Sequence, residues 1–399
     1  MIGRMPAAAV EHGRRVLSAA AVLRAVLDHG PVARSTIARL TRLSPAAVTG
    51  LAADLVERGL ITETDGPVTR GGMGRPHIPL DIDTERLLVG GIHIAHDYAT
   101  LTVLDLRGRV RAQDHVPHAG SDPGTVLPAL ARAFTTFLAE RVGGRSPLAV
   151  GLATGGWVDS DAGVLVEHAS LGWRDLPVRE MLSRLIGLPV RLDSHARALA
   201  SAELLFGAQP VRSSESSLHI FVGNVVDAAI VTGGSPLRGT RSAAGLIAHV
   251  PVGEPDMRCA QGHLGCFEAT VADRTWVRRA AERGLGPVSS IKDIVDRALH
   301  GDSAARALLV ERARRIGRAA AVLFDLVNPE LLVVTEGGVI QLPECLAALR
   351  AEFGAHSHVG VDAQHAVRAG SFAAGDVLST AAGAVELDAV YHRPLSFGA

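Results

Sequence analysis

The sequence predicts a mixed α/β chain, with a small helical head closed by a β-hairpin and a larger body built twice on one plan. Three observations predict it. Apolar residues recur every three to four positions through the first 57 residues, the period of helices packed on a core. From about residue 87 strands alternate with helices, the pattern of an α/β layer structure. The stretches LLVGGIHIA…ATLTVLDL (87–106) and SLHIFVG…DAAIVTGG (217–234) each open with a strand pair around glycines, which points to duplication.

The head comes first. Val16, Leu23, Val26 and Leu27 define one helix, stopped by Gly30-Pro31. A short second helix is expected over 34–41, with Ile37 and Leu40 turned inward. After the turn Thr41–Ser44, Ser44 suits a helix N-cap and Pro45 the first helical position. That third helix runs to about 57 with Val48, Leu51 and Leu55 on one face, and Gly59 ends it. Residues 60–64 and 78–82 read as short strands around the Gly/Arg-rich loop DGPVTRGGMGRPH.

The body follows. Strands are expected at 87–95, 99–106 and 109–116, a helix at 127–142, a buried strand at 148–154 and another at 190–193 leading into a helix at 196–206. The second strand pair, a long helical stretch over about 270–326, a strand at 330–335 and a helix near 379–391 complete it. The expected domains are 1–83, 84–198 (joined by the helix about 379–395) and 199–378. The gap between the two body lobes is the default ligand site.

Composition bounds the function. The chain has 399 residues, enough for two or three domains; 47% hydrophobic and 20% charged residues exclude a disordered chain. The net charge of −1 hides an asymmetry: residues 1–80 carry ten Arg against six Asp or Glu, so a basic head sits on an acidic body. Lys292 is the only lysine. Cys259, Cys266 and Cys345 cannot form a disulfide framework, and the first two are close enough for a metal or a local clip. With no signal-like N-terminus and no apolar run of about 18 residues, the expectation is a soluble cytoplasmic protein without a membrane partner.

Helix, short helix, tight turn, helix and β wing form the layout that places a reading helix in the major groove of DNA. The reading helix would offer Ala46, Ala47, Thr49, Gly50 and Ala53, without Arg, Asn or Gln for paired base contacts. Ala and Thr can touch thymine methyls, and Thr49 can bond a base edge or a phosphate. Affinity is therefore expected to come from phosphate contacts near the helix start, with Arg42 and Ser44 there, and from the wing. Arg70, Arg75 and His77 lie among glycines and can follow a narrow minor groove, where negative potential favours guanidinium.

Along nearly the whole chain the motifs resemble the ROK family (repressors, open reading frames, kinases), in its transcriptional-regulator branch. The resemblance rests on Gly74-Arg75-Pro76 in the wing, LGWRDLPV (171–178), GLIAHVPV (245–252), CAQGHLGCFE (259–268), Gly301-Asp302 and VNPELLVV (327–334). It implies a winged helix-turn-helix followed by a two-lobed, actin-like body of sugar-kinase type.

The resemblance also shows what is missing. Where the family's kinases carry Gly-x-Asp-x-Gly-Gly-Thr-Lys, this chain has GIHIAHDY, with His93 for the Asp, Ala95 and His96 for glycines and Tyr98 for the Lys. The second phosphate loop is GNVVDAA (223–229), and Asp227 brings negative charge toward the phosphate position. His195 stands at the catalytic Asp in SHAR (194–197). Phosphoryl transfer depends on positioning and charge neutralisation, and those parts are lost, so the resemblance implies no kinase activity.

Of the family's sugar contacts, Ser170, Ser194, His195 and Leu246 replace the usual residues, while His249 and Glu268 remain. These five polar positions are the expected effector site, for a sugar-like or other small molecule; the alternative is a body with no effector, serving as a dimerisation platform. Of the family's zinc ligands, His249, Cys259 and Cys266 match, but Gln261 takes the middle Cys position; His263 is a nearby substitute at a different offset, and the three matching ligands could hold zinc more weakly with water in the fourth place, so zinc is possible but no stable structural zinc is expected. The expected protein is a non-enzymatic regulator, a repressor binding double-stranded, roughly palindromic operator DNA as a dimer or tetramer.

Overall fold

A computed structural model describes residues 7–64, 78–118, 122–259 and 261–398, with side chains from residue 13 onward. The head consists of α1 (Ala7–His29), α2 (Arg34–Thr41), α3 (Pro45–Glu57), β1 (Ile61–Glu63) and β2 (Leu80–Ile82). Ala19, Val22, Leu23 and Val26 form the buried stripe of α1. Ser44 caps α3, its Oγ accepting the Ala47 N–H at 3.2 Å, with Pro45 at the first helical position. β1 and β2 pair antiparallel, Ile61 opposite Ile82, and Val32 bridges to Leu80 on the other side.

One expectation in the head needs correcting. Ile37 is buried, but Leu40 is 41% exposed. In a helix of only eight residues, the last turn has already rotated past the stripe that faces α1 and α3.

The body's first lobe contains β3 (Leu88–Ile94), β4 (Tyr98–Asp105), β5 (Val110–Pro117), α4 (Pro123–Arg141), β6 (Val150–Thr154), β7 (Trp157–Asp159), β8 (Val164–His168), β9 (Trp173–Leu176), α5 (Val178–Ile186) and β10 (Val190–Ser194). The connecting helix α6 (His195–Phe206) leads to β11 (Ser216–Val222), β12 (Val226–Thr232) and β13 (Ser235–Pro236). The helical stretch expected over 270–326 consists of four helices, α7 (Phe267–Val271), α8 (Asp273–Glu282), α9 (Ile291–Leu299) and α10 (Ser303–Val327), the last starting directly after Gly301-Asp302. New caps break it: Ser290 closes a capping box with Asp293, and Asp302 accepts the N–H groups of Ala304 and Ala305. Then come β14 (Leu331–Thr335), α11 (Gly337–Gln341), α12 (Pro343–His356), α13 (Ala363–Ala366), β15 (Val367–Ala369) and α14 (Val377–His392).

The duplication is visible in the sheets. One runs β10-β6-β3-β4-β5 and the other β13-β12-β11-β14-β15. Numbering the strands of each sheet by chain order, the first is the mirror listing of the second: both place strand one centrally, its two antiparallel successors on one side and the two parallel strands on the other. The small sheet β7-β8-β9, which the sequence reading did not foresee, hangs on the cleft side of lobe one. α14 returns to pack on β3 and β6, and it approaches so closely that a β-carbon on Gly151 would collide with the carbonyl oxygen of Ala382.

Head and body share one core. Val22, Leu23, Val26 and Leu80 of the head pack in the same apolar cluster as Val89, Leu104, Leu387 and Tyr391 of the body. Polar contacts frame it. Arg107 pairs with Asp81, Arg212 pairs with Asp28, and the Arg58 guanidinium donates to the Phe397 carbonyl at 2.8 Å. The head is therefore fixed to the body by buried surface, not hung from a linker.

Candidate functional site

The outer face of α3 is bare. Ala46, Ala47, Thr49, Gly50 and Ala53 are all exposed, while Val48, Leu51, Ala52 and Leu55 fill the inner face. A β-carbon added at Gly50 would meet nothing within 4 Å. The Thr49 hydroxyl already donates to the Pro45 carbonyl at 2.9 Å, which leaves its methyl and its oxygen lone pairs for an outside partner. Ser44 is exposed but committed to its cap.

Arg42 ends α2 in the left-handed region (φ 56°), which swings its exposed side chain out beside the start of α3. Exposed Arg39, one turn earlier, flanks the same surface, a residue the sequence reading missed. Arg15 and Arg34 are tied to Asp54 (2.5 Å) and Glu63 (2.6 Å), whereas no ion pair engages Arg39 or Arg42 among the described residues. The wing positions Arg70, Gly74, Arg75, Pro76 and His77 lie outside the described residues.

Between the lobes, side chains fill the place where the phosphate loops converge. His93 on β3 and His195 at the start of α6 stack in parallel (interplanar angle 2°), with His93 Nε2 and His195 Nδ1 3.4 Å apart. His195 Nε2 lies 3.1 Å from Asp227 Oδ2, and that same oxygen accepts the Gly156 N–H at 3.1 Å. Phe221 lies against the His195 ring, centroids 4.1 Å apart, and Val225 sits so close to Gly155 that a β-carbon there would be 2.9 Å from the valine's. Residues of β11, β12 and their turn thus reach across onto lobe one. Burial, followed by the neighbouring His195, holds His93 well below the ordinary histidine range.

A second fastening lies beside it. Arg197, the last residue of the SHAR stretch, is buried, with Nε on Asp193 (2.6 Å), Nη1 on the Ser242 carbonyl (2.8 Å) and Nη2 on the Val158 carbonyl and Ser160 Oγ (both 3.1 Å). Four donor bonds from this one guanidinium, to acceptors on both sides of the cleft, tie the lobes together.

Beyond this plug is a cavity of about 150 Å³, lined by Ser170, His249 and Glu268 together with Trp157, His168 and Arg274. Three of the five expected effector residues therefore converge. Ser194 and His195 are not in the lining. The Ser194 hydroxyl caps α6 by accepting the Arg197 N–H at 3.3 Å, and His195 is enclosed by the plug. Arg274 was not legible in advance. It pairs with Glu268 and also donates to the Asn224 carbonyl at 3.3 Å, neutralising the carboxylate in the cavity wall. His168 lies 3.2 Å from Ser170 Oγ, and burial, reinforced by His195, brings its pKa down to about 4. The cavity is smaller than the roughly 300–1,000 Å³ of most ligand pockets, and it holds both donors and acceptors.

Next to it, the chain forms a tight hairpin. Arg258 bridges Leu264, the Cys259 N–H donates to the His263 carbonyl at 3.0 Å, and Gly262 takes a positive φ of 91° at the bend. Cys259 Sγ lies 3.5 Å from His263 Nδ1 and 3.9 Å from His249 Nδ1. Of the expected metal set, His249 and Cys259 meet directly; Cys266 is buried beside Cys259 in the same small cluster. His263 joins them, with its imidazole 4.4 Å from that of His249, centroid to centroid.

A family model described as "ROK family" matches residues 89–385, and one described as "MarR family" matches residues 17–70. Over 391 residues the chain is 36% identical to the transcriptional regulator Rv0485 of Mycobacterium tuberculosis (strain ATCC 25618 / H37Rv), covering 95% of this chain and 86% of that protein. It is 29% identical over 340 residues to the DNA-binding transcriptional dual regulator NagC of Escherichia coli (strain K12), covering 82% and 83% of the two chains. In fold it is similar to a crystal structure described as a ROK family transcriptional regulator, homolog of the E. coli MLC protein. That likeness has a TM-score of 0.77 at 22% identity and covers 96% of this chain and 98% of that one.

Proposed function

The chain belongs to the ROK family and is a DNA-binding, non-enzymatic transcriptional regulator with a winged helix-turn-helix head; from that premise we propose that it is a repressor that reads its operator mainly through phosphate and wing contacts. The observation that carries this reading is the outer face of α3, small and uncharged, flanked by Arg39 and Arg42 with no ion pair among the described residues. A face of methyls lets the helix seat deeply in the major groove, while guanidinium groups at its edge meet the phosphates. Arg70, Arg75 and His77 of the wing supply the minor-groove contacts, with Gly74 and Pro76 shaping that loop, and Ser44, Ala46, Ala47, Thr49 and Gly50 line the groove-facing surface.

Two copies would place two reading helices on two half-sites, so the operator is a near-palindrome with half-sites one turn, or multiples of one, apart. The cavity between the lobes takes a small hydroxylated effector. Glu268 and Ser170 accept from its hydroxyls, His249 and Arg274 donate to them, and the ligand acts by binding one lobe arrangement better than another. Because the head shares a core with the body, a change in lobe arrangement alters the spacing of paired heads.

Mapping of bound DNA across the genome, followed by fluorescence anisotropy on the recovered site, tests the reading. Operator affinity should fall steeply with salt, and a flat salt response would remove the phosphate-dominated model. A thermal-shift screen with sugars, sugar phosphates and aminosugars tests the effector; no shift with any of them would favour regulation without one.

A further inference from the structure

We propose, on the basis of the effector reading above, that Trp157 is the specificity-determining residue of the inter-lobe cavity. The effector it selects is an uncharged hydroxylated molecule bearing an apolar group, alkyl or aryl, that packs on the Trp157 ring and Leu246. The indole is held in a fixed place. Trp157 opens β7 and stands opposite Glu167 of β8 in the small sheet of lobe one. Its Nε1–H donates to the Arg241 carbonyl at 3.0 Å, and the Arg241 guanidinium lies over the ring, 4.9 Å from its centroid. With its one donor spent and a cation on one face, what the ring can offer the cavity is hydrocarbon surface.

The loop that pins the ring is itself held in an unusual form. Arg241 and Ser242 follow one another with φ of 51° and 53°, left-handed values that residues with side chains rarely adopt unless their surroundings enforce them. Here the enforcement comes from lobe one. The Ser160 N–H donates to Ser242 Oγ at 3.3 Å, and Arg197 Nη1 donates to the Ser242 carbonyl at 2.8 Å. The ring therefore belongs to one lobe and its clamp to the other, so a ligand resting on Trp157 touches the joint between them.

The rest of the wall sets the ligand's class. Leu246, where the resemblance places a sugar contact, lines the cavity and is 41% exposed, and Ala169 and Ala248 line it too. The charges are already answered. Arg274 is the only Arg or Lys among the described lining residues, and Glu268 and the Asn224 carbonyl hold its guanidinium. Glu167 pairs with Arg174 at 2.6 Å, while Asp227 lies 3.1 Å from His195 Nε2 and accepts the Gly156 N–H. Burial brings the pKa of His168 to about 4, so it adds no cation near pH 7. An anionic ligand would meet three carboxylates and no free cation. A cationic one would have to take a carboxylate from its partner. Both are costly in a partly desolvated site. Hydroxyls find Glu268 and Ser170, and an apolar group displaces water from Trp157 and Leu246.

The test uses the full-length protein and matched probes: free pentoses and hexoses, their methyl and phenyl glycosides, their phosphates and their amino derivatives, screened by thermal shift and titrated by calorimetry. For the sugar that binds, the methyl glycoside should bind about fourfold more tightly and the phenyl glycoside about tenfold or more, whereas the phosphate and amino forms should bind about tenfold or more weakly. Trp173 and Trp276, the other two tryptophans, are buried, so binding should change the fluorescence of Trp157. That change should vanish in Trp157→Phe, which should keep the preference for glycosides. Trp157→Ala should erase the preference, leaving glycoside and free sugar bound alike; a damaged fold would weaken both together. A preference that survives Trp157→Ala, or a phosphate or amino form that binds more tightly than the neutral forms, would overturn the assignment and leave the effector reading standing. No shift with any probe would remove both.

Discussion

The outer face of α3 and the gap between the lobes are opposite solutions to the same requirement, control over what can approach a backbone. On α3 the side chains have been pared to methyls, one hydroxyl and a glycine, so a duplex can come close. Between the lobes Ala95 and His96 stand where the resemblance places glycines of a phosphate cradle, His93 where it places an Asp, and Asn224, Val225 and Asp227 crowd the second loop, so a nucleotide cannot. Neither change disturbs the framework, since both lobes keep the same five-strand order. Function in this chain is set by side-chain volume and charge at a few turns, on a fold that the substitutions leave standing.

The contrast predicts where the molecule is sensitive to acid. The head's described surface has no buried histidine, whereas the body buries four: His93, His168, His195 and His219. Burial lowers the pKa of His219 to about 3 and that of His168 to about 4, against an ordinary value near 6.5. The unfolded chain therefore binds more protons than the folded one between about pH 6.5 and those values, and stability is lost as pH falls through that window. Glu386 works the other way. Burial raises it to about 7, so its contribution declines as pH rises from about 4.5 to 7. His219→Leu should remove one acid-labile group, narrowing its stability gap to the parent by on the order of 4 kcal/mol between pH 7 and pH 3. Denaturant unfolding at several pH values reads this directly. Parallel pH dependence in the two proteins would show that His219 does not carry the effect.

The same contrast orders the DNA contacts. Arg75→Ala should weaken operator binding by about 1–3 kcal/mol, about five- to more than a hundredfold, because a minor-groove guanidinium replaces groove water with charge pairing. Anisotropy titration would show it, and unchanged affinity would remove the wing from the reading. Arg42→Ala should cost about 1 kcal/mol, uniformly across sequences, and should reduce the slope of log affinity against log salt by about 1. If discrimination between sequences fell instead, Arg42 would be touching a base.

Much of this was legible in the residues. The head was readable because its signals are local: Ser44-Pro45 announces a capped helix, and Val48, Leu51 and Leu55 mark its inner face. The duplicated strand pairs were readable because alternation around glycines is a short-range pattern. The start of α10 after Gly301-Asp302 was readable, but the earlier breaks within 270–326 were harder, since Ser290 reveals itself as a cap only once the flanking turn is known. The three strands β7, β8 and β9 carry mixed burial with Trp and charged residues, and they gave no clean period. At the cleft, the family resemblance could show what was lost from a phosphate loop. It could not show that Arg274 would neutralise Glu268 or that His263 would meet Cys259, because both depend on where a turn folds the chain back.

The smallest expected effect is also the sharpest test of the bare face. In α3 the Thr49 hydroxyl donates its only proton to the Pro45 carbonyl, so toward DNA it can act as an acceptor or offer its methyl, but it cannot donate without breaking that bond. Thr49→Val keeps the methyl and the β-branched shape while removing the oxygen. If α3 reads by shape and apolar contact with thymine methyls, operator affinity should change by no more than about 0.5 kcal/mol. A loss of about 1–3 kcal/mol confined to operators altered at one base pair would mean that Thr49 turns its hydroxyl to a base edge when DNA arrives. In that case the neutral face of α3 would be a reader in its own right, and the weight placed on Arg42 and the wing would have to shift toward it.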